Sequence, residues 1–250
     1  MLKFNKILSY PISVIYYLCF AICLFVFHPI QWILFNVFGY QPHKKSVDVL
    51  NWFLMRCLNV LGSGFKAEMN TNLPAGSPVV IVSNHQSMWD IPPIVWHLRK
   101  YHPKFISKKS LGKGVPSVSY NLRHGGSILI DRKNKEESIE KIENFTRYLL
   151  ENNRAGVIFA EGTRSKSNEI KAFKRGGLET LFENMKSGYV IPVSIKDSWK
   201  FQRWGMFPIQ LGVKAKIIAH PAIKIDSMSV DELIDKVEGI VREGVNNADE

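Results

Sequence analysis

The chain has 250 residues, 46% hydrophobic and 22% charged, which is enough for one large domain with an appendage and argues against extended disorder. Its three cysteines (Cys19, Cys23, Cys57) lie in the first quarter, two of them inside an apolar run; an odd count at such spacing is not a disulfide framework, and they read as small hydrophobes rather than zinc ligands. Net charge is +11, from 33 Lys and Arg against 22 Asp and Glu, and no helix-turn-helix, zinc-finger or RNP-type signature turns that excess toward nucleic acid.

The N-terminus is apolar and one-signed. No acid precedes Asp48, while Lys3, Lys6, Lys44 and Lys45 flank two uncharged runs, 7–27 and 30–40. The first run is about 30 Å long as a helix, one hydrocarbon core. It is too long for a cleaved signal and apolar on every side, unlike a core helix. Pro29 is expected to interrupt it. A single crossing would separate the two lysine pairs. A helical hairpin puts both on one side, the cytoplasmic one by charge, and is the favoured arrangement for residues 1–45. Leu50, Phe53, Leu54, Cys57, Leu58 and Leu61 then follow helical spacing up to Gly62.

From Pro78 strands and helices alternate. Strands are predicted at 78–83, 126–130, 156–160, 189–195 and 211–219, the last with Lys214 and Lys216 on one face. Helices are predicted at 135–150, 177–185 and 230–241. This order predicts an α/β fold over 46–250, with a mixed, largely parallel sheet flanked by helices behind a membrane-embedded helical segment. A second basic excess spans 99–135, with ten Lys or Arg and one acid, Asp131. A solvated face explains most such runs; beside an apolar segment, a membrane surface is the better partner.

Three motifs follow strands. Asn84-His85-Gln86-Ser87-Met88-Trp89-Asp90 places a histidine where open α/β sheets bind ligands. A histidine there can act as general base if a carboxylate orients it. Five residues along a regular helix turn by about 140°, so Asp90 can reach His85 only if His85 lies outside the first turn. Phe159-Ala160-Glu161-Gly162-Thr163-Arg164-Ser165 offers a flexible glycine, hydroxyls and a guanidinium fork suited to phosphate. A polar turn with a surface arginine would look the same in isolation. Gly126-Ser127-Ile128-Leu129-Ile130-Asp131-Arg132 is a strand ending in a positive side chain, or a surface Asp-Arg pair.

Together with VIPVSI (190–195), these blocks resemble, in order, the glycerolipid acyltransferase family, which includes 1-acyl-sn-glycerol-3-phosphate acyltransferases. The resemblance implies His85 as general base with Asp90 as its partner. It implies Arg132, Glu161, Gly162, Thr163 and Arg164 as the acceptor phosphate site, and Pro192 as a wall near the acyl chain. Lys108 joins that site by the same resemblance, although Ser110 replaces a usual Glu in its segment and Ala160 a usual Pro in the third block. The Phe173-Lys174-Arg175-Gly176 run adds positive charge nearby. The implied reaction joins acyl-CoA or acyl-carrier protein to 1-acyl-sn-glycerol 3-phosphate, giving phosphatidate, with no metal and no cofactor. Implied partners are membrane lipids, a lysophospholipid acceptor and the donor carrier, with no nucleic acid. The alternatives are another lysophospholipid or lyso-aminolipid acceptor, a thioesterase, or a non-catalytic lipid-binding protein.

Overall fold

The computed structural model describes residues 2–131 and 133–247. Two helices open the chain: α1 (Leu2–Phe38) and α2 (Tyr40–Cys57), hinged at Gly39, whose φ of 80° a side chain would oppose. The break expected at Pro29 is absent, because α1 runs through both Pro11 and Pro29. Each proline removes one backbone donor, a loss a long helix can carry when neighbours hold it on both sides. Around Pro29 they do: Ser117 Oγ donates to Leu24 O at 2.9 Å, and Ser117 N–H donates to His28 Nδ1 at 3.1 Å. The 37 residues extend for about 55 Å. The apolar runs therefore form one rod rather than two arms, and Lys6 and Lys44 stand near its opposite ends. The returning arm, α2, is amphipathic and crosses the domain boundary expected at 45/46.

The polarity of α1 is inverted. Ser9, Ser13, Tyr16 and Gln31 face inward and are buried, while Phe4, Ile7, Leu18, Ile22 and Phe25 face outward and are 58–73% exposed. The inner face touches the rest of the molecule along its length. Ser13 Oγ accepts Ile209 N–H at 2.9 Å, Trp89 Nε1 donates to Tyr16 Oη at 2.6 Å, and Asn36 Nδ2 donates to Tyr120 Oη at 3.0 Å.

The remaining elements are β1 (Gly64–Met69), β2 (Val79–Ser83), α3 (Ile91–His97), β3 (Lys104–Lys108), α4 (Val118–His124), β4 (Ile128–Ile130), α5 (Lys135–Glu151), β5 (Ala155–Phe159), α6 (Arg175–Asn184), β6 (Tyr189–Lys196), β7 (Lys214–Ala219), β8 (Ile223–Lys224) and α7 (Val230–Asn246). Among the described residues the strands form one sheet in the order β1-β7-β6-β2-β5-β3-β4, with β8 also on β6. From β6 to β4 all pairs are parallel, β7 runs antiparallel to β6, and β1 is parallel to β7. The mixed, largely parallel α/β sheet is as expected. Pro192 is tolerated inside β6 because it falls between the stretch paired with β8 and the stretch paired with β7.

Strand alternation fills two layers. In β2, Val80 and Val82 pack with Phe145, Leu181 and Val237 of α5, α6 and α7, whereas Val79 and Ile81 pack with Val47, Ile94 and Leu98 on the α2 and α3 side. Each such fully buried side chain contributes about 1.5–3 kcal/mol. Covering both faces leaves the carboxyl ends of β2, β3, β4, β5 and β6 on one side, and the loops there carry the polar chemistry.

Candidate active site

At the end of β2 the Asn84 amide completes the sheet ladder. Its Nδ2 donates to Ile195 O at 2.8 Å and its Oδ1 accepts Ile195 N–H at 2.7 Å. The backbone of His85 is then gripped from the loop after β5: its N–H donates to Glu161 Oε1 at 2.8 Å, and its carbonyl accepts Ser165 N–H at 2.7 Å. Ser87 is extended (φ −152°, ψ 170°) and caps a 3-10 turn, Met88–Asp90, that leads into α3. His85 thus lies outside the first turn, and Asp90 folds back onto it.

The contact is Nδ1 of His85 to Oδ2 of Asp90, 2.8 Å. The carboxylate is fully buried and also accepts the N–H groups of Gln86 and Ser87 at 2.7 and 2.9 Å and the hydroxyls of Ser87 and Ser198. Burial opposes its charge, but the bond from His85, followed by those from Ser198 and Ser87, prevails and holds the carboxyl below the usual range. An ionised Asp90 fixes the His85 proton on Nδ1 and leaves a lone pair on Nε2. The imidazole stacks on Phe159 at 3.9 Å and 14°. Its Nε2 accepts a hydrogen bond from Arg164 Nε at 3.3 Å.

The loop after β5 turns at Gly162, φ 68°, where a Cβ would stand 2.9 Å from the Lys174 side chain. Glu161 is 2% exposed, and its carboxylate oxygens accept the backbone N–H groups of His85 and Lys171 at 2.8 and 3.0 Å. Burial raises its pKa, and those two bonds only partly offset it. Thr163 and Arg164 are exposed, and Lys171 Nζ donates to Thr163 Oγ1 at 3.2 Å. Lys108 ends β3 on the same side of the sheet, exposed, with no hydrogen bond to His85 or Arg164 among the described residues. Arg132 lies outside the described residues. Arg175 is drawn off to α7, where it pairs with Asp231 and Asp235.

Two cavities flank this arrangement. One, about 380 Å³, is lined by Gln86, Arg164, Lys166, Trp199 and Arg203. The other, about 250 Å³ and mostly apolar, runs from Phe159 and Gly162 to Ile106, Ile139 and Ile142, with Lys174 on its wall. Sequence reasoning missed Ser198, Lys171 and Arg203; only the lysine, close behind the glycine loop, had a local signal. Among the described residues no group of three His, Cys, Asp or Glu is placed to hold a metal ion.

A family model described as Acyltransferase matches residues 64–196, just over half of the chain and both motif loops. The chain belongs to the acyltransferase family. A 1-acyl-sn-glycerol-3-phosphate acyltransferase of Helicobacter pylori (strain J99 / ATCC 700824) is 42% identical over 144 residues, 56% of this chain and 57% of the relative. One from Saccharomyces cerevisiae is 28% identical over 213 residues, 81% of this chain and 66% of the relative. The chain thus spans less than two thirds of the length of either curated relative. The crystal structure of the 1-acyl-sn-glycerophosphate (LPA) acyltransferase, PlsC, from Thermotoga maritima is similar at TM-score 0.71 and 22% identity, over 99% of this chain and 98% of that one. At that identity it shows a common fold. The fold of this acyltransferase-family chain therefore extends past the matched segment to α1 and α7.

Proposed function

We propose that the chain transfers a fatty acyl group from acyl-CoA or acyl-carrier protein to the sn-2 hydroxyl of 1-acyl-sn-glycerol 3-phosphate, giving phosphatidate and free thiol. The observation that carries this reading is the tautomer lock: Asp90 holds one nitrogen of His85, and the other faces the glycine loop and Arg164. His85 Nε2 takes the hydroxyl proton as the oxygen attacks the thioester carbonyl, Asp90 stabilises the imidazolium, and the proton passes to the departing thiolate. The thioester is already activated, so the step calls for neither metal nor acyl-enzyme. Arg164 supplies a fork for the acceptor phosphate, with Thr163 and the Gly162 turn shaping the approach. Glu161, spent on two backbone groups, is the brace of this loop. Arg132 and Lys108 remain proposals from resemblance alone.

The same reading puts the protein on a membrane. The outward stripe of α1 is apolar from Ile7 to Ile33, while the inner face is bound to the domain, so the helix is suited to lie in the bilayer surface. The one-signed lysines near its ends favour the cytoplasmic face.

The test is purified protein in mixed micelles, both donors, and a panel of lysophosphatidate, other lysophospholipids and monoacylglycerol. Phosphatidate should form from lysophosphatidate, and His85→Ala should slow it by about 10²- to 10⁴-fold. Acceptor-independent release of fatty acid, or equal use of monoacylglycerol, would replace this reading with a thioesterase or a different acceptor.

A further inference from the structure

The Nε2 lone pair that must take a proton is already engaged. With Nδ1 donating to Asp90, Nε2 can only accept, and it accepts Arg164 Nε–H at 3.3 Å. A base in that contact cannot also receive a hydroxyl proton, so the guanidinium has to leave before transfer. It is free to do so. The loop backbone is fixed by Ser165 N–H on His85 O and by Lys171 Nζ on Arg164 O, while the Arg164 side chain is exposed. The cavity beside it gives it somewhere to go. Arg164, Lys166 and Arg203 all line that space, and no carboxylate pairs with any of them among the described residues. Arg203 is stacked over Trp199 at 5.1 Å, and the buried Trp199 Nε1 has no hydrogen-bond partner. Three converging cations match a phosphate monoester.

We propose that Arg164 is a phosphate-operated latch on the catalytic base: it caps His85 Nε2 until a phosphate monoester, seated between Lys166 and Arg203, draws its guanidinium away. This rests on the reading of His85 as base and adds Arg203 and Lys166 as acceptor-binding residues. The latch ties release of the base to arrival of the acceptor, which guards a bound thioester against water.

The test reads the nitrogen directly and needs no turnover. The full chain in detergent micelles is treated with diethyl pyrocarbonate, which acylates an unshared imidazole nitrogen, and the His85 peptide is followed by mass spectrometry, with His28 and His97 peptides as internal controls. The probe is sn-glycerol 3-phosphate. In the wild type it should speed His85 modification roughly three- to fivefold, the scale of a solvent-exposed charge-assisted contact. Arg164→Ala and Arg164→Gln should start at the fast rate and ignore the probe. Arg203→Ala should start slow and need more probe. Equal starting rates in wild type and both Arg164 variants, or protection of wild-type His85 by the probe, would overturn the latch. Phosphatidate formation by the same preparations is scored separately: its absence alongside probe-driven acceleration would count against the proposed reaction and not the latch.

Discussion

Glu161 accepts the backbone N–H of His85 across 76 residues of sequence, at 2.8 Å, and with its other oxygen accepts Lys171 N–H at 3.0 Å. One buried carboxylate thus sets the position of the proposed base and of the loop that carries Arg164. Glu161→Gln keeps the shape but offers one acceptor for two donors, leaving a buried N–H unpaired at a cost of about 1–3 kcal/mol. The expected result is a kcat about tenfold or more lower, with KM for lysophosphatidate changed much less. A rise confined to KM would instead make Glu161 a substrate contact.

Asp90→Asn tests the tautomer lock. One carboxylate oxygen, Oδ2, accepts from His85 Nδ1 and from the Gln86 and Ser87 N–H groups, and the other, Oδ1, accepts the Ser87 and Ser198 hydroxyls; an amide has one acceptor oxygen, so its NH2 must oppose one of these two donor sets. Transfer should fall about 10³-fold or more, as loss of a triad carboxylate does elsewhere. The wild-type carboxyl is held below its usual range, so its contribution is present above the unfolded carboxylate pKa and lost as pH falls through the folded one. Denaturant titrations from pH 2 to 6 should therefore show a shallower acid limb in the variant. Identical limbs would mean that the wild-type pairing stores no stability.

A pH effect of opposite origin lies at the other end of the sheet. Lys104 opens β3 in a buried pocket with Arg154, Lys44, Tyr40, His43 and His102, against one acid, Asp48. Burial, then the charges of Arg154 and Lys44, lower its pKa to about 7. The unfolded chain therefore binds this proton over a range, about 7 to 10.5, where the folded chain does not, and stability rises with pH across that range. Burial, followed by nearby cations, holds His43 and His102 at about 4, which extends the same slope to lower pH. Lys104→Met should raise the melting temperature at pH 6, with the gain shrinking toward pH 10. A gain independent of pH would place the charge elsewhere.

The stripe on α1 makes a separable prediction. Leu18 and Ile22 are 58% and 60% exposed, so Leu18→Glu with Ile22→Glu removes little internal packing. Two charges facing hydrocarbon cost about 5–7 kcal/mol together at the bilayer centre, less at an interface. Flotation with anionic vesicles should show at least about tenfold weaker binding, while circular dichroism stays unchanged. Undiminished flotation would move the membrane contact to another surface.

Legibility in the sequence followed locality. The strands β2, β5 and β6 were readable as apolar runs because helices bury both their faces. Strand β3, Lys-Phe-Ile-Ser-Lys, was not: its first lysine is buried by neighbours remote in sequence, which no periodicity announces. Likewise β1 has mixed polarity because Glu68 is satisfied by Lys216 of β7 at 2.9 Å. His85, Asp90 and Arg164 could be singled out because each lies in a short contiguous motif. The hydroxyl of Ser198, which completes the Asp90 shell from 108 residues away, could not. Pro29 misled for a related reason: the contacts that carry α1 past it come from Ser117.

Tyr17 of α1 donates its hydroxyl hydrogen to Met206 O, and Met206 also lines the cavity that holds Arg164. One residue therefore separates the greasy rod from the chamber where the acceptor is proposed to sit. An acceptor arriving by that route never has to dissolve in water, and encounter becomes a search in two dimensions. The governing quantity is then the mole fraction of lysophosphatidate in the lipid phase. Diluting it with inert phospholipid, at constant amount per volume, should slow the reaction as effectively as withholding it.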